Sequence, residues 1–164
     1  LFYKPNATHS WRTQTPFWKA PEVFLGGPSF TYAVDIWSTG VTFAGLLFGS
    51  YHFFDEHPLY HMAAQWVRVL GSRAWHAFLE RYDIRIDPRW HAHYIARGEP
   101  HARVPWTDFV TANNTHLVSA EALDLLDRML RFDPAERITA RDALRHRYFG
   151  ATQTTHLEPR ELRA

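Results

Sequence analysis

A run of apolar residues from Val34 to Phe48 does most to constrain the fold of this 164-residue chain. The run contains no turn signal and ends at Gly49-Ser50. Because it is apolar on nearly all sides when wound as a helix, it predicts a helix that is buried inside the domain. Its most apolar stretch, Val41 to Phe48, is interrupted by Thr42 and Gly45 and is far too short to span a bilayer. The other elements must therefore pack around this helix.

Periodicity and capping signals predict two helices directly after this run. The first extends from Leu59 to Leu70, with Pro58 in its first turn and Gly71 as the residue that ends it. Ser72 is expected to cap the next helix. The apolar residues of that second helix recur at helical spacing and are Trp75, Phe78, Leu79 and Tyr82.

The C-terminal third carries the clearest helix signal. Ser119 is the expected N-cap of a helix whose apolar stripe consists of Ala122, Leu125, Leu126 and Met129. Thr139 and Asp142 resemble a capping box, which predicts a short helix that runs to about His146. Residues 83–117 are expected to hold only short helices, and Ile84-Arg85-Ile86 is one strand-like piece. We therefore predict a mainly α domain over residues 31–150, a loop-rich segment over 1–30 and a disordered polar tail over 151–164.

Composition excludes several classes of function. The chain has 18 Lys and Arg against 17 Asp and Glu, so its net charge favours neither nucleic acid nor a membrane as a partner. It has no cysteine, which excludes disulfides and thiolate metal sites. Its 11 histidines form no H-E-x-x-H pattern, so no metal site is predicted. With no signal peptide visible, we expect an intracellular location, in the cytoplasm or the nucleus.

Three short motifs occur in a fixed order along the chain. They are Ala20-Pro21-Glu22, then Asp35-Ile36-Trp37-Ser38-Thr39-Gly40, then Arg137 in D-P-A-E-R-I-T-A. This ordered set resembles the C-terminal lobe of eukaryotic protein kinases. The stretches L-F-Y-K-P-N, Y-D-I-R-I-D-P-R and H-L-V-S-A-E-A-L-D are similar to the casein kinase II catalytic (alpha) group. The resemblance extends from Phe2 to Phe149 and implies an incomplete kinase fold. Residues 1–30 would form the end of the activation segment and the P+1 loop, and residues 31–150 would form the helical C-terminal lobe with helices F to I.

The resemblance also implies roles for the motif residues. Glu22 would be buried, and Arg137 could offer it a bidentate partner. Asp35 would begin the central helix and accept N–H bonds from the catalytic loop, while Trp37 would anchor the centre of the lobe. Thr15 matches the hydroxyl residue that contacts the catalytic aspartate in family members. Taken singly, Asp35 is a helix N-terminal acid and Arg137 a surface arginine.

Casein kinase II prefers Ser or Thr followed by acidic residues, and basic residues near the substrate read that pattern. Arg12 and Lys19 match two such positions, which implies acidic protein substrates. Pro16 stands where the family has a third basic residue, and this departure weakens the expected acidic preference. Solvated loop charges are the competing interpretation of Arg12 and Lys19.

The sequence lacks the kinase motifs that hold phosphate. It contains no Gly-rich loop, no H-R-D and no D-F-G. We therefore expect those residues to lie upstream of Leu1, in a missing N-terminal half, and assign no catalytic residue and no cofactor to this chain alone. The complete parent would use ATP and Mg²⁺, and a regulatory subunit could bind through the absent lobe. The alternative is a non-catalytic binding or scaffold module.

Overall fold

The computed structural model describes residues 16–26, 31–51, 53–55, 59–95 and 100–150. The predictions for Arg12, Thr15, Pro58 and the 151–164 tail fall outside these residues. The α-helices of the described part are α1 (Pro21–Phe24), α2 (Ala33–Phe48), α3 (Leu59–Leu70), α4 (Ser72–Arg81), α5 (Pro88–Trp90), α6 (Ala120–Met129), α7 (Ala140–Leu144) and α8 (Arg147–Gly150). One 3₁₀ turn (Pro16–Trp18) precedes α1, and two further 3₁₀ turns (Trp106–Phe109 and Pro134–Glu136) and a π-helical turn (His91–Ile95) lie between later helices. The predicted mainly α fold is thus confirmed.

Helix α2 lies at the centre of the domain. Its buried residues are Trp37, Gly40, Val41, Ala44 and Leu47. Gly49 ends it in the left-handed conformation, with φ of 72°, which glycine adopts without steric cost. Trp37 is fully buried, and its ring meets that of Trp66 on α3 edge-to-face, with 5.5 Å between the centroids.

The prediction that α2 is buried on nearly all sides is wrong for one face. Asp35, Thr39, Thr42 and Leu46 are all exposed. Their spacing of four, three and four residues places them on one stripe of the helix. Because three of the four are polar or charged, this exposed face is a real amphipathic feature that the apolar character of the whole run concealed. We call these four residues the exposed face of α2.

Helices α3 and α4 meet at Gly71, which has φ of 92°. The predicted bounds of α3 are confirmed, but the predicted cap of α4 is wrong. Ser72 is the first residue of that helix, and no side chain caps it. The Ser72 hydroxyl instead accepts a hydrogen bond of 3.0 Å from the His101 N–H, and the Ser72 N–H donates to the His101 carbonyl at 3.0 Å. The Ser72 hydroxyl, which was predicted to cap α4, therefore binds the backbone of His101 instead.

The other two predicted caps are confirmed. The Ser119 hydroxyl accepts from the Ala122 N–H at 3.1 Å at the start of α6. The Thr139 hydroxyl accepts from the Asp142 N–H at 3.1 Å at the start of α7. These short side chains satisfy N–H groups that have no partner inside the helix.

The predicted strand at Ile84-Arg85-Ile86 does not form. Ile84 and Ile86 are half-buried against the core and Arg85 is exposed, so the alternation is present. No strand occurs in the described part of the chain, however, so this segment has nothing to pair with. The same part contains no helix with the length and apolar character needed to cross a membrane.

Candidate functional site

Two motif residues from opposite ends of the chain form a buried ion pair. Glu22 lies in α1 and is 1% exposed, and Arg137 follows the 3₁₀ turn Pro134–Glu136. Arg137 Nη1 donates to Glu22 Oε1 and Nη2 donates to Oε2, each at 2.6 Å. This parallel, bidentate geometry is the one that a guanidinium and a carboxylate favour. The pairing inferred from the family resemblance is therefore present.

The other Arg137 donors are satisfied by backbone carbonyls. Nε donates to the Arg131 carbonyl at 2.8 Å, Nη1 to the Ala33 carbonyl at 2.8 Å, and Nη2 to the Phe132 carbonyl at 3.0 Å. All five N–H groups of the guanidinium thus have acceptors. The guanidinium carbon also lies 5.1 Å from the centroid of the Trp37 ring. One side chain therefore joins α1, the start of α2 and residues 131–137.

A second polar cluster supports the turn that precedes Arg137. Asp133 is 5% exposed, and its Oδ1 accepts from the Tyr82 hydroxyl at 2.7 Å and from the Ala135 N–H at 2.8 Å. Arg81 Nη1 lies 2.7 Å from Asp133 Oδ2. Burial, followed by the hydrogen bond to Asp133, raises the pKa of Tyr82. This cluster fixes the backbone from which Arg137 reaches Glu22.

Asp35 lies in the first turn of α2, as predicted. Its carboxylate is exposed and has no hydrogen bond or ion pair with any residue that the structure describes. The hydroxyls of Thr39 and Thr42, on the same face, donate to carbonyls of their own helix. The favourable position of an acid at a helix N-terminus is thus present, and contact with a catalytic loop stays a prediction.

Lys19 lies between the 3₁₀ turn Pro16–Trp18 and α1. It is only 4% exposed, and burial lowers the pKa of its ammonium group. It is therefore not the exposed loop cation that either reading of the sequence assumed. Its proposed contact with substrate stays a prediction, and Arg12 and Thr15 lie outside the described residues.

Ser38 makes a contact that the sequence reading missed. Its hydroxyl lies 2.9 Å from the Trp18 carbonyl, across 20 residues of sequence, and 3.1 Å from the Val34 carbonyl. A backbone acceptor carries no sequence signal, so only the place of Ser38 within the second motif could have pointed to it.

The remaining motif residues have packing roles. Ala20 and Trp37 are fully buried, Pro21 opens α1, and Gly40 is buried against α6. No group of three or more His, Cys, Asp or Glu residues within the described part could hold a metal ion.

The motifs thus converge on one structural centre, at the junction of α1, α2 and residues 131–137. A comparison with protein families agrees with this arrangement. The family model described as "Protein kinase domain" matches residues 2–149. Because this match covers most of the chain, the protein belongs to the protein kinase domain family.

Proposed function

We propose that this chain is the C-terminal lobe portion of a casein kinase II-like Ser/Thr protein kinase. Its complete form transfers the γ-phosphate of ATP, with Mg²⁺, to Ser or Thr in acidic protein substrates inside the cell. Residues 1–164 alone do not transfer phosphate, because the sequence has no Gly-rich loop, H-R-D or D-F-G.

The observation that carries the proposal is the buried pair of Glu22 and Arg137. It fastens α1 to the lobe and so holds residues 16–24, which correspond by resemblance to the end of the activation segment. A charge pair with less than 2% side-chain exposure is costly to bury, and here every donor of the guanidinium is used. In the proposal, this pair holds the substrate-facing segment in a fixed position.

The exposed face of α2 supports the idea of a preceding half. Leu46 is 68% exposed, and the Asp35 carboxylate has no partner among the described residues. This face of the central helix is therefore free to bind another segment. In the proposal, the preceding half packs on this face. Its catalytic loop donates N–H groups to Asp35.

Preference for acidic substrates is assigned to Arg12 and Lys19. Since Lys19 is 4% exposed, we assign the larger share to Arg12. In the complete kinase, Arg12→Met should raise KM for an acidic peptide more than Lys19→Met does. Neither change should affect KM for a matched peptide in which Ala replaces the acidic residues. Equal KM changes for both peptides would remove these residues from acid recognition.

The decisive experiment is capture of the endogenous protein with an antibody to residues 118–131, followed by intact mass measurement and a phosphorylation assay. A mass well above 19.2 kDa, with Mg-ATP-dependent phosphorylation of a Ser peptide rich in acidic residues, is expected. The matched control is the same peptide with Ala in place of the phosphoacceptor Ser.

Two outcomes would overturn the proposal. Phosphotransfer by purified residues 1–164 would mean that the phosphate-holding residues lie within this chain. A captured mass of 19.2 kDa without phosphotransfer would instead favour the non-catalytic binding or scaffold module. Such a module would bind a regulatory subunit or a substrate protein without phosphorylating it.

A further inference from the structure

Ser38 connects the central helix to the segment that precedes α1. We infer that Ser38 is a positioning residue that sets the placement of residues 16–20 on α2. The effect of this placement on substrates rests on the proposed function, in which residues 16–20 form part of the surface that binds the substrate beside the phosphoacceptor.

The geometry shows that this contact is additional to ordinary helix bonding. A serine within a helix commonly donates to the carbonyl four residues earlier, which for Ser38 is the Val34 carbonyl at 3.1 Å. The Trp18 carbonyl lies closer, at 2.9 Å, and belongs to a different element. The hydroxyl has one hydrogen and two carbonyls within reach, and the contact to the Trp18 carbonyl makes Ser38 a tertiary link.

The segment around α1 is held unevenly along its length. Its rear carries deeply buried side chains, with Val23 and Leu25 each 4% exposed, as well as the Glu22–Arg137 pair. At the front, Phe17 and Trp18 are only half-buried. Trp18 packs against the core, and Lys19 and Ala20 behind it are buried. The Ser38 hydroxyl adds a polar contact to the backbone at this end.

The Trp18 carbonyl is well placed to control Lys19. The carbonyl of Trp18 and the N–H of Lys19 belong to one planar peptide unit. Fixing that carbonyl on Ser38 therefore fixes the peptide plane that ends at the Lys19 Cα atom, which restricts where the Lys19 side chain begins. A shift of this peptide unit would move residues 16–20 together with Lys19, one of the two basic residues proposed to bind acidic substrates.

Hydrogen exchange on the 164-residue chain tests the inference without any need for kinase activity. Ser38→Ala removes the hydroxyl, and Thr42→Ala is the matched control, since among the described residues the Thr42 hydroxyl donates to the Ser38 carbonyl of its own helix and to no other element. For Ser38→Ala we expect exchange of the peptide covering residues 17–25 to accelerate about fivefold to thirtyfold, as for loss of one hydrogen bond. Thr42→Ala should leave that peptide unchanged.

Two exchange results would overturn the inference. One is an unchanged rate in residues 17–25 of Ser38→Ala. The other is an equal acceleration along the whole of α2, because that would indicate a loss of general stability and not of position. A melting temperature measured for both variants separates local from global effects.

A kinetic readout extends the test to the substrate. In the complete kinase, Ser38→Ala should raise KM for an acidic peptide severalfold and leave kcat unchanged, as expected for lost ground-state positioning. A lowered kcat with unchanged KM would contradict the assigned role. If neither wild type nor variant phosphorylates any peptide, the proposed function fails, whereas the exchange result still decides whether Ser38 places residues 16–20.

Discussion

Gly40 on α2 lies directly against Met129 on α6. A Cβ atom added to Gly40 would come within 2.9 Å of Met129 Cβ and 3.0 Å of Leu130 Cδ2. Met129 Cβ is bonded to the backbone, so it cannot rotate out of the way. The two helices therefore approach more closely than any residue other than glycine allows.

Gly40→Ala should reduce the free energy of unfolding by about 1–3 kcal/mol, the usual cost of overpacking, although alanine favours helix more than glycine does. Urea denaturation measures this loss. Gly150→Ala is the matched control, because a Cβ at Gly150 has no neighbour within 4 Å, and should change stability by less than about 0.5 kcal/mol. Equal effects at the two glycines would mean that α2 and α6 are not in close contact.

Glu22→Gln should destabilise the protein by about 3–5 kcal/mol, because the buried charge of Arg137 loses its counter-charge. The control is Arg85→Ala. Arg85 lies 3.7 Å from Asp83, and both side chains are more than 80% exposed. Removing that exposed pair should cost no more than about 1 kcal/mol.

A double variant separates the two contributions to this cost. Replacing Glu22 by Leu and Arg137 by Met removes both charges together, so it should be less destabilising than Glu22→Gln alone. Denaturation of all three proteins under one condition provides the comparison. A double variant that is much less stable than the single one would mean that the carbonyl contacts of Arg137 matter more than the charge pair.

Tyr82→Phe should cost about 1–3 kcal/mol, because the buried Asp133 carboxylate loses the donor at 2.7 Å. Tyr32→Phe, at a side chain that is 89% exposed, is the control and should be nearly neutral. The raised pKa of Tyr82 means that its neutral form is stabilised by folding. This stabilisation is complete below the usual pKa of 10.0 and is lost as pH rises through the higher folded value, which absorbance titration of tyrosinate can follow.

Asp124 makes stability depend on acidity. Hydrogen bonds, first from Arg128 and then from His146, lower the pKa of the Asp124 carboxyl below its usual 3.8. His146 Nδ1 accepts from the Tyr148 N–H, so Nε2 is the nitrogen that donates to Asp124 at 2.9 Å.

A depressed carboxyl pKa stabilises the fold at pH values above the unfolded pKa, and the gain is lost as pH falls through the folded value. Wild type should therefore be more stable than Asp124→Asn while pH is above the usual carboxyl pKa of 3.8, and this difference should shrink as pH falls below it. Denaturation at a series of pH values measures it. A difference that stays constant down to the acid limit would contradict the contribution of Asp124.

Local signals predicted local structure well. The caps at Ser119 and Thr139 and the bounds of α3 depend on residues within a few positions of each other, and all three are confirmed. Ser72 had an equally good local signal, but a buried contact with His101 uses its hydroxyl. The strand-like alternation at 84–86 likewise depends on a partner strand, which periodicity alone cannot supply.

In the candidate site, too, contacts between distant residues could not be predicted from local sequence signals. The Glu22–Arg137 pair was predicted from the family resemblance alone, because two residues 115 positions apart leave no periodic signal. The burial of Lys19 and the contact from Ser38 to Trp18 could not be predicted, because they depend on how one loop lies against α2. The spacing of Asp35, Thr39 and Thr42 could have predicted the exposed face of α2. The high average hydropathy of the run indicated instead a helix that is buried on nearly all sides.

The separation of 115 positions between Glu22 and Arg137 also determines when the fold can be completed. Contacts between positions so far apart are made late, since the chain must first close the long intervening loop. During synthesis, Glu22 leaves the ribosome well before Arg137 and stays in water until its partner arrives, because a lone carboxylate is too costly to bury. A nascent chain that stops anywhere before Arg137 is therefore expected to keep α1 undocked, and residues 16–20 in front of α1 take their final position only after Arg137 has been made.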